Sequence, residues 1–288
     1  MNNTKLVKYT LLAITLTSVI ALAMITIFLI LQGMKPFFAT DFDLNIIDFF
    51  TGDTWKPNQG VYGIGYMIIG SILATLGSII LVVPVAILTS VAIVEFMPTK
   101  IAKPFTFAIE LLAGIPSVLY GLFGLGVLVP LIRQVSPTGS GQSLLAVTLV
   151  LAMMVMPTVI ALTVSSLKSV PNSYRHASLS LGADKLQTTF KVVVPAARSG
   201  IMAGIVLGIG RAIGETMAVT LVAGNVTGGV PGSIFDMIRP MTANIALEMG
   251  YATGHHRELL FTTGLVLFIF IMLLNIIATR LAKRGEMR

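Results

Sequence analysis

Residues 168–200 read KSVPNSYRHASLSLGADKLQTTFKVVVPAARSG, a polar, basic cassette set between two long apolar runs. Pro171 has the fixed φ and missing N–H that suit the start of a helix, and Gly182 can take the left-handed turn that ends one. A short helix is therefore predicted over 172–181 and a second over 185–194, joined by a glycine turn. The rest of the chain has the character of an apolar scaffold around this cassette.

Composition sets the class. Of 288 residues, 55% are hydrophobic and only 11% charged, and the mean hydropathy is +0.93, so the chain is predicted to be an all-α polytopic membrane protein. The net charge of +7 does not point to nucleic acid, because the basic residues gather at the ends of apolar runs; membrane lipid is the expected surrounding. With no cysteine there is no disulfide, thiolate metal site or cysteine nucleophile. The histidines are His176, His255 and His256, and none stands in a metal-ligating or catalytic spacing, so no metal, cofactor or catalytic residue is expected. The adjacent pair His255 and His256 reads as a solvated loop.

Six spans are expected, at about 10–32, 66–94, 105–132, 144–167, 201–223 and 259–279, within a single domain covering 1–288. The first stays in the mature protein, since its uncharged run between Lys8 and Lys35 is longer than the apolar core of a signal peptide and lacks a small-residue cleavage site. Pro84 and Pro157 fall inside spans two and four, and Gly114 with Pro116 suggests a broken helix in span three. The small residues Gly114, Ser117, Gly121 and Gly124 there would admit a close neighbour.

The basic residues orient this map. Lys5, Lys8, Lys100, Lys103, Lys168, Arg175, Lys185, Lys191, Arg198, Arg280, Lys283, Arg284 and Arg288 fall on one side, thirteen in all, against five (Lys35, Lys56, Arg133, Arg239 and Arg257) on the other. Positive residues mark the cytoplasm, so both termini and the 168–200 loop are expected inside. The acidic loop with the sole tryptophan, Trp55, is expected outside.

Arg211 remains within span five, four residues before Glu215. On one helix the two would share a face and pair. A charge inside hydrocarbon costs about 2.5 to 3.5 kcal/mol or more, so both should face a bundle interior or an aqueous path. A guanidinium offers a planar fork of donors to an oxyanion. The residues alone leave open an anion pathway or a structural ion pair that ties helices together.

The cassette resembles the cytoplasmic loop of ABC-importer permeases, whose pattern is Glu-Ala-Ala, three residues, Gly, nine residues, then Ile-x-Leu-Pro. The spacing is met by His176, Ala177, Ser178, Gly182, Val192, Val194 and Pro195, with His176 in place of Glu and Ser178 in place of the second Ala. FFTGDTWKP (49–57), GIPSVLYGLF (114–123) and GRAIGETMAV (210–219) are similar to segments of PstC-type permease subunits of phosphate ABC importers. The resemblance implies a type I, MetI-like permease fold of six transmembrane helices in the inner membrane, translocating phosphate by alternating access. It implies that the loop, through His176, Ala177, Ser178, Gly182 and Pro195, docks on an ATPase, and that Arg211 and Glu215 line the substrate path. The partners it implies are a sister permease of PstA type, two copies of an ATP-binding subunit of PstB type and an extracytoplasmic phosphate-binding protein of PstS type. The chain has no GxxxxGK[ST] sequence, so it would be a transport subunit and hydrolysis would come from partners. Alternatives are a permease for sulfate or molybdate, or an ion-driven secondary transporter, which needs neither ATPase nor docking loop. A membrane-embedded enzyme would need a clustered nucleophile, base or metal set that the sequence lacks.

Overall fold

A computed structural model of the chain describes residues 2–38 and 45–284. It is almost wholly helical. Helix α1 (Asn2–Phe38) leads to α2 (Ile46–Thr51), a two-residue hairpin of β1 (Trp55–Lys56) and β2 (Val61–Tyr62), and α3 (Gly65–Val91). Then come α4 (Thr99–Ala113), α5 (Ser117–Phe123), α6 (Val129–Val135) and α7 (Leu144–Ser169). The cassette holds α8 (Asn172–Ser180), α9 (Lys185–Thr188) and α10 (Val194–Ala196), followed by α11 (Arg198–Gly214), α12 (Met217–Val222), α13 (Met241–Glu248) and α14 (Gly254–Arg284).

Helix α7 is the axis, because its apolar residues occupy nearly every position and α3, α4, α11 and α12 pack around it. Pro157 in α7 and Pro84 in α3 are carried within continuous helices. Small residues set the approach of α11: a Cβ at Gly200 would lie 2.0 Å from Ser166, and one at Gly208 would lie 2.9 Å from Val155 and Val159. Such close backbone approach is how helices pack where lipid supplies no hydrophobic drive. By contrast α1 buries almost nothing in the chain and leans on α14, where the Phe28 and Phe261 rings meet at 5.6 Å and Thr262 donates to the Gly33 carbonyl at 2.9 Å.

Five described helices are long and apolar enough to cross a membrane, and a sixth is counted if Lys185–Ala196 and Arg198–Gly214, bent by 66°, form one span. The region expected as the third span, 105–132, is divided between α4 and a second helical run, Ser117–Val135, in which a π turn joins α5 to α6. Pro116 imposes extended backbone before α5, Gly114 ends α4, and the Tyr120 hydroxyl donates at 2.8 Å to the carbonyl of Leu112 in α4's last turn, which also takes the Ile115 amide at 3.2 Å. Of its small residues, Gly121 and Gly124 admit α12 and α7 (a Cβ would lie 2.7 Å from Ala218 and 2.5 Å from Val150), whereas Gly114 meets only its own turn. The fifth expected span, 201–223, also breaks, at Glu215 and Thr216 between α11 and α12.

Two smaller apolar clusters finish the ends. At the cassette end Val91, Leu167, Val170, Val193, Ala197 and Ile201 seat the short helices on α3, α7 and α11. At the far end Phe49, Trp55, Tyr66, Met241 and Leu260 hold the hairpin against α13 and α14. There the loop between α12 and α13 gives carbonyls of Ile234 and Asp236 to the first amides of α7, at 2.8 Å each.

Candidate functional site: a cleft beside Arg211 and the docking cassette

Arg211 lies in the last turn of α11, where the helix dipole favours a cation. Its Nη1 donates to Thr158 Oγ1 of α7 at 2.8 Å. The guanidinium borders a cleft of about 660 Å³ lined by Thr158, Gly210, Arg211, Asn275 and Thr279 with the apolar Val206 and Leu207. The expected pairing with Glu215 is not made. Helix α11 ends at Gly214, so the one-turn register is lost and Glu215, with extended backbone, turns its Oε1 to accept the Ala218 amide at 3.0 Å at the start of α12. Thr242 of α13 fixes the same residue through its carbonyl at 2.9 Å. Among the described residues no carboxylate pairs with Arg211. Most of its five N–H donors are left for another acceptor.

A second charged group lies at the far end. Glu248 is 4% exposed; one oxygen accepts from Arg239 Nη2, and the other takes Trp55 Nε1–H at 2.7 Å and faces His256 Nε2 at 2.7 Å. This corrects the reading of His255 and His256 as a solvated loop. Both stand in the first turn of α14, His256 is largely covered and lies on Glu248, and His255 lies 3.1 Å from Glu258. Burial first, and then the charge of Glu248, raise the phenols of Tyr62 and Tyr251 above their ordinary value.

The cassette folds close to the expected boundaries. Pro171 precedes α8, Leu181 ends it, and Gly182 has φ +85 with nothing near its missing side chain, so backbone conformation alone selects glycine there. Asp184 and Gln187 form a reciprocal capping box that starts α9. Ser178 bonds Thr188 at 2.9 Å and closes α8 onto α9. His176, Ala177 and Pro195 face outward. So do apolar side chains, Tyr174, Leu179, Leu186 and Phe190, with Leu181 at 89% exposure.

Over residues 82–286 the chain matches the family described as binding-protein-dependent transport system inner membrane component. The chain belongs to that family. The permease is 39% identical over 276 residues to the protein named "Probable ABC transporter permease protein YqgH" of Bacillus subtilis, spanning 93% of this chain and 88% of the relative. It is 32% identical over 262 residues to "Phosphate transport system permease protein PstC" of Mesorhizobium japonicum, spanning 83% and 79%. In fold it is similar to the permease in an inward-facing structure of the MetNI methionine ABC transporter, with TM-score 0.58 at 16% identity over 80% of this chain and 99% of that one. It is a MetI-like, all-α membrane permease and a transport subunit, and the family sets aside an ion-driven secondary transporter.

Sequence reasoning found Arg211 and the cassette but missed Thr158, Asn275 and the Glu248 group. Those partners stand 53 residues from Arg211 (Thr158) and 193 from Trp55 (Glu248). No local spacing encodes such pairs. The capping box at Asp184 did carry a local signal, Asp-x-x-Gln.

Proposed function

We propose that the permease carries inorganic phosphate across the cytoplasmic membrane by alternating access, as one membrane subunit of an ATP-driven importer. In this reading it forms the membrane domain with a sister subunit of PstA type, takes phosphate from an external binding protein of PstS type, and is driven by two ATP-binding subunits of PstB type. The thirteen-to-five excess of basic residues supports a topology with both termini and the cassette in the cytoplasm and six spans between. The exposed apolar face around Leu181, held out at the cassette end by His176, Ala177, Ser178, Gly182 and Pro195, then has an ATPase as its partner.

The observation that carries the substrate is Arg211, a guanidinium held by one hydroxyl at the rim of a cleft. Its fork of donors suits a tetrahedral oxyanion. In this reading Glu215 joins the path as the residue at the break that follows Arg211's helix. Uptake of labelled phosphate by the whole complex in vesicles tests this, with unlabelled phosphate, sulfate and molybdate as competitors. Phosphate is expected to compete alone, and Arg211→Gln to abolish uptake at unchanged complex yield. Competition by sulfate or molybdate equal to that by phosphate would reassign the cargo.

A further inference from the structure

Beyond the apolar cluster that seats the short helices, one charged side chain ties α8 to the central helices. Arg175, on the inner face of α8, donates from Nη2 to Glu95 Oε1 at 2.7 Å and from Nε to the same carboxylate at 3.2 and 3.4 Å. The same guanidinium donates to the Val170 carbonyl at 2.8 Å, the Leu167 carbonyl at 3.1 Å and Asn172 Oδ1 at 3.4 Å. Arginine has five N–H donors in a rigid fork, and here each has an acceptor. The pair is largely withdrawn from solvent, at 18% and 10% side-chain exposure, where a charge-assisted fork is firm and directional.

The acceptors belong to the two central helices. Glu95 stands in a π turn, Ala92–Phe96, that extends α3, while Leu167 and Val170 are the end of α7 and the residue that caps it. The next residue, Phe96, receives Lys185 of α9 with Nζ 5.0 Å from its ring centroid. Thus the π turn grips both short helices from within, while the outer surface of the cassette remains open. Helix α7 also carries Thr158, the residue that holds Arg211.

We propose that Arg175 is a positioning residue for transport: a strut that carries displacement of α8 into α3 and α7, and so to the Arg211 cleft. Without it, a push on α8 is absorbed by the short link 170–171, and the partner ATPase turns over without moving the permease. The proposal rests on the functional reading above, in which an ATPase drives this chain.

The test uses the complete complex in vesicles and measures phosphate imported, ATP hydrolysed and complex yield together. Arg175→Gln and Glu95→Gln are each expected to lower phosphate imported per ATP by about tenfold or more, the size of a strong coupling between sites, while yield and hydrolysis stay at wild-type level. A merely structural tie would instead lose the ATPase from the complex in step with uptake. A second variant separates the two. With Glu95→Cys and Arg175→Cys together, in a chain that has no other cysteine, a bifunctional thiol reagent as long as the ion pair should restore import per ATP, and reductive cleavage should abolish it again. Wild-type import per ATP in the Gln variants, yield falling in proportion to uptake, or no recovery in the crosslinked protein would overturn the strut and leave the importer reading standing. Absence of ATP-dependent uptake in the wild-type complex would overturn both.

Discussion

Arg239 and Arg211 bring the same guanidinium into two regions of the permease, and the regions treat it in opposite ways. At the far end Arg239 is buried and paired with Glu248, which Trp55 and His256 also contact, so three other segments converge on one carboxylate. At the cleft Arg211 has a single hydroxyl and no described carboxylate partner. A buried charge matched by a counter-charge fixes structure, whereas a cation with no counter-charge attracts one. The difference supports the proposal that the far end serves architecture and the cleft serves cargo.

The largest effect should come from opening the closed site. Glu248→Ala leaves Arg239 buried without its counter-charge and removes the acceptor of Trp55, a loss of about 3 to 5 kcal/mol. Thermal unfolding of the detergent-solubilised complex should show a clear drop in Tm, with lower membrane yield. An unchanged Tm would erase the distinction between the two arginines.

Gly182→Val acts at neither arginine and so serves as a control on the cassette. A β-branched residue at φ +85 meets a left-handed backbone, which costs about 1 to 2 kcal/mol or more. Nothing stands near the new side chain within the chain itself, so insertion should be normal and phosphate uptake lost through faulty docking. Full uptake at normal expression would contradict the docking role.

The smallest change should follow Glu215→Gln. The glutamine oxygen can still accept the Ala218 amide, and no Arg211 pair exists to be lost, so stability should shift by less than about 1 kcal/mol. A loss matching that of Arg211→Gln, in uptake and in yield, would restore the ion pair between them and blur the comparison.

How far the sequence could reach follows from the range of each signal. The cassette was legible because Pro171, Gly182 and their spacing are local chain chemistry. Arg211 was legible as a lone cation in an apolar run. Its partner was misread because periodicity carried the helix through Gly214 to Glu215, and the helix stops one residue short. The missed link between Arg175 and Glu95 spans 80 residues, and the group around Glu248 needs the hairpin, α13 and the start of α14 folded together. Such contacts arise from packing, and the residue types alone allow many alternatives. The break at Gly114 and Pro116 was legible too, because a proline and a glycine are local signals, and α4 ends there as the sequence suggests.

In the proposed mechanism the cleft needs a positive charge at position 211. The absence of native cysteine lets that charge be removed and returned. Arg211→Cys, reconstituted with cysteine-free partner subunits, is expected to assemble and to import no phosphate. Aminoethyl methanethiosulfonate, which leaves a cation on the thiol, should restore uptake, sulfonatoethyl methanethiosulfonate should not, and added phosphate should slow both reactions. Uptake near the wild-type rate by the unlabelled variant, or equal recovery with the cationic and anionic reagents, would contradict the claim.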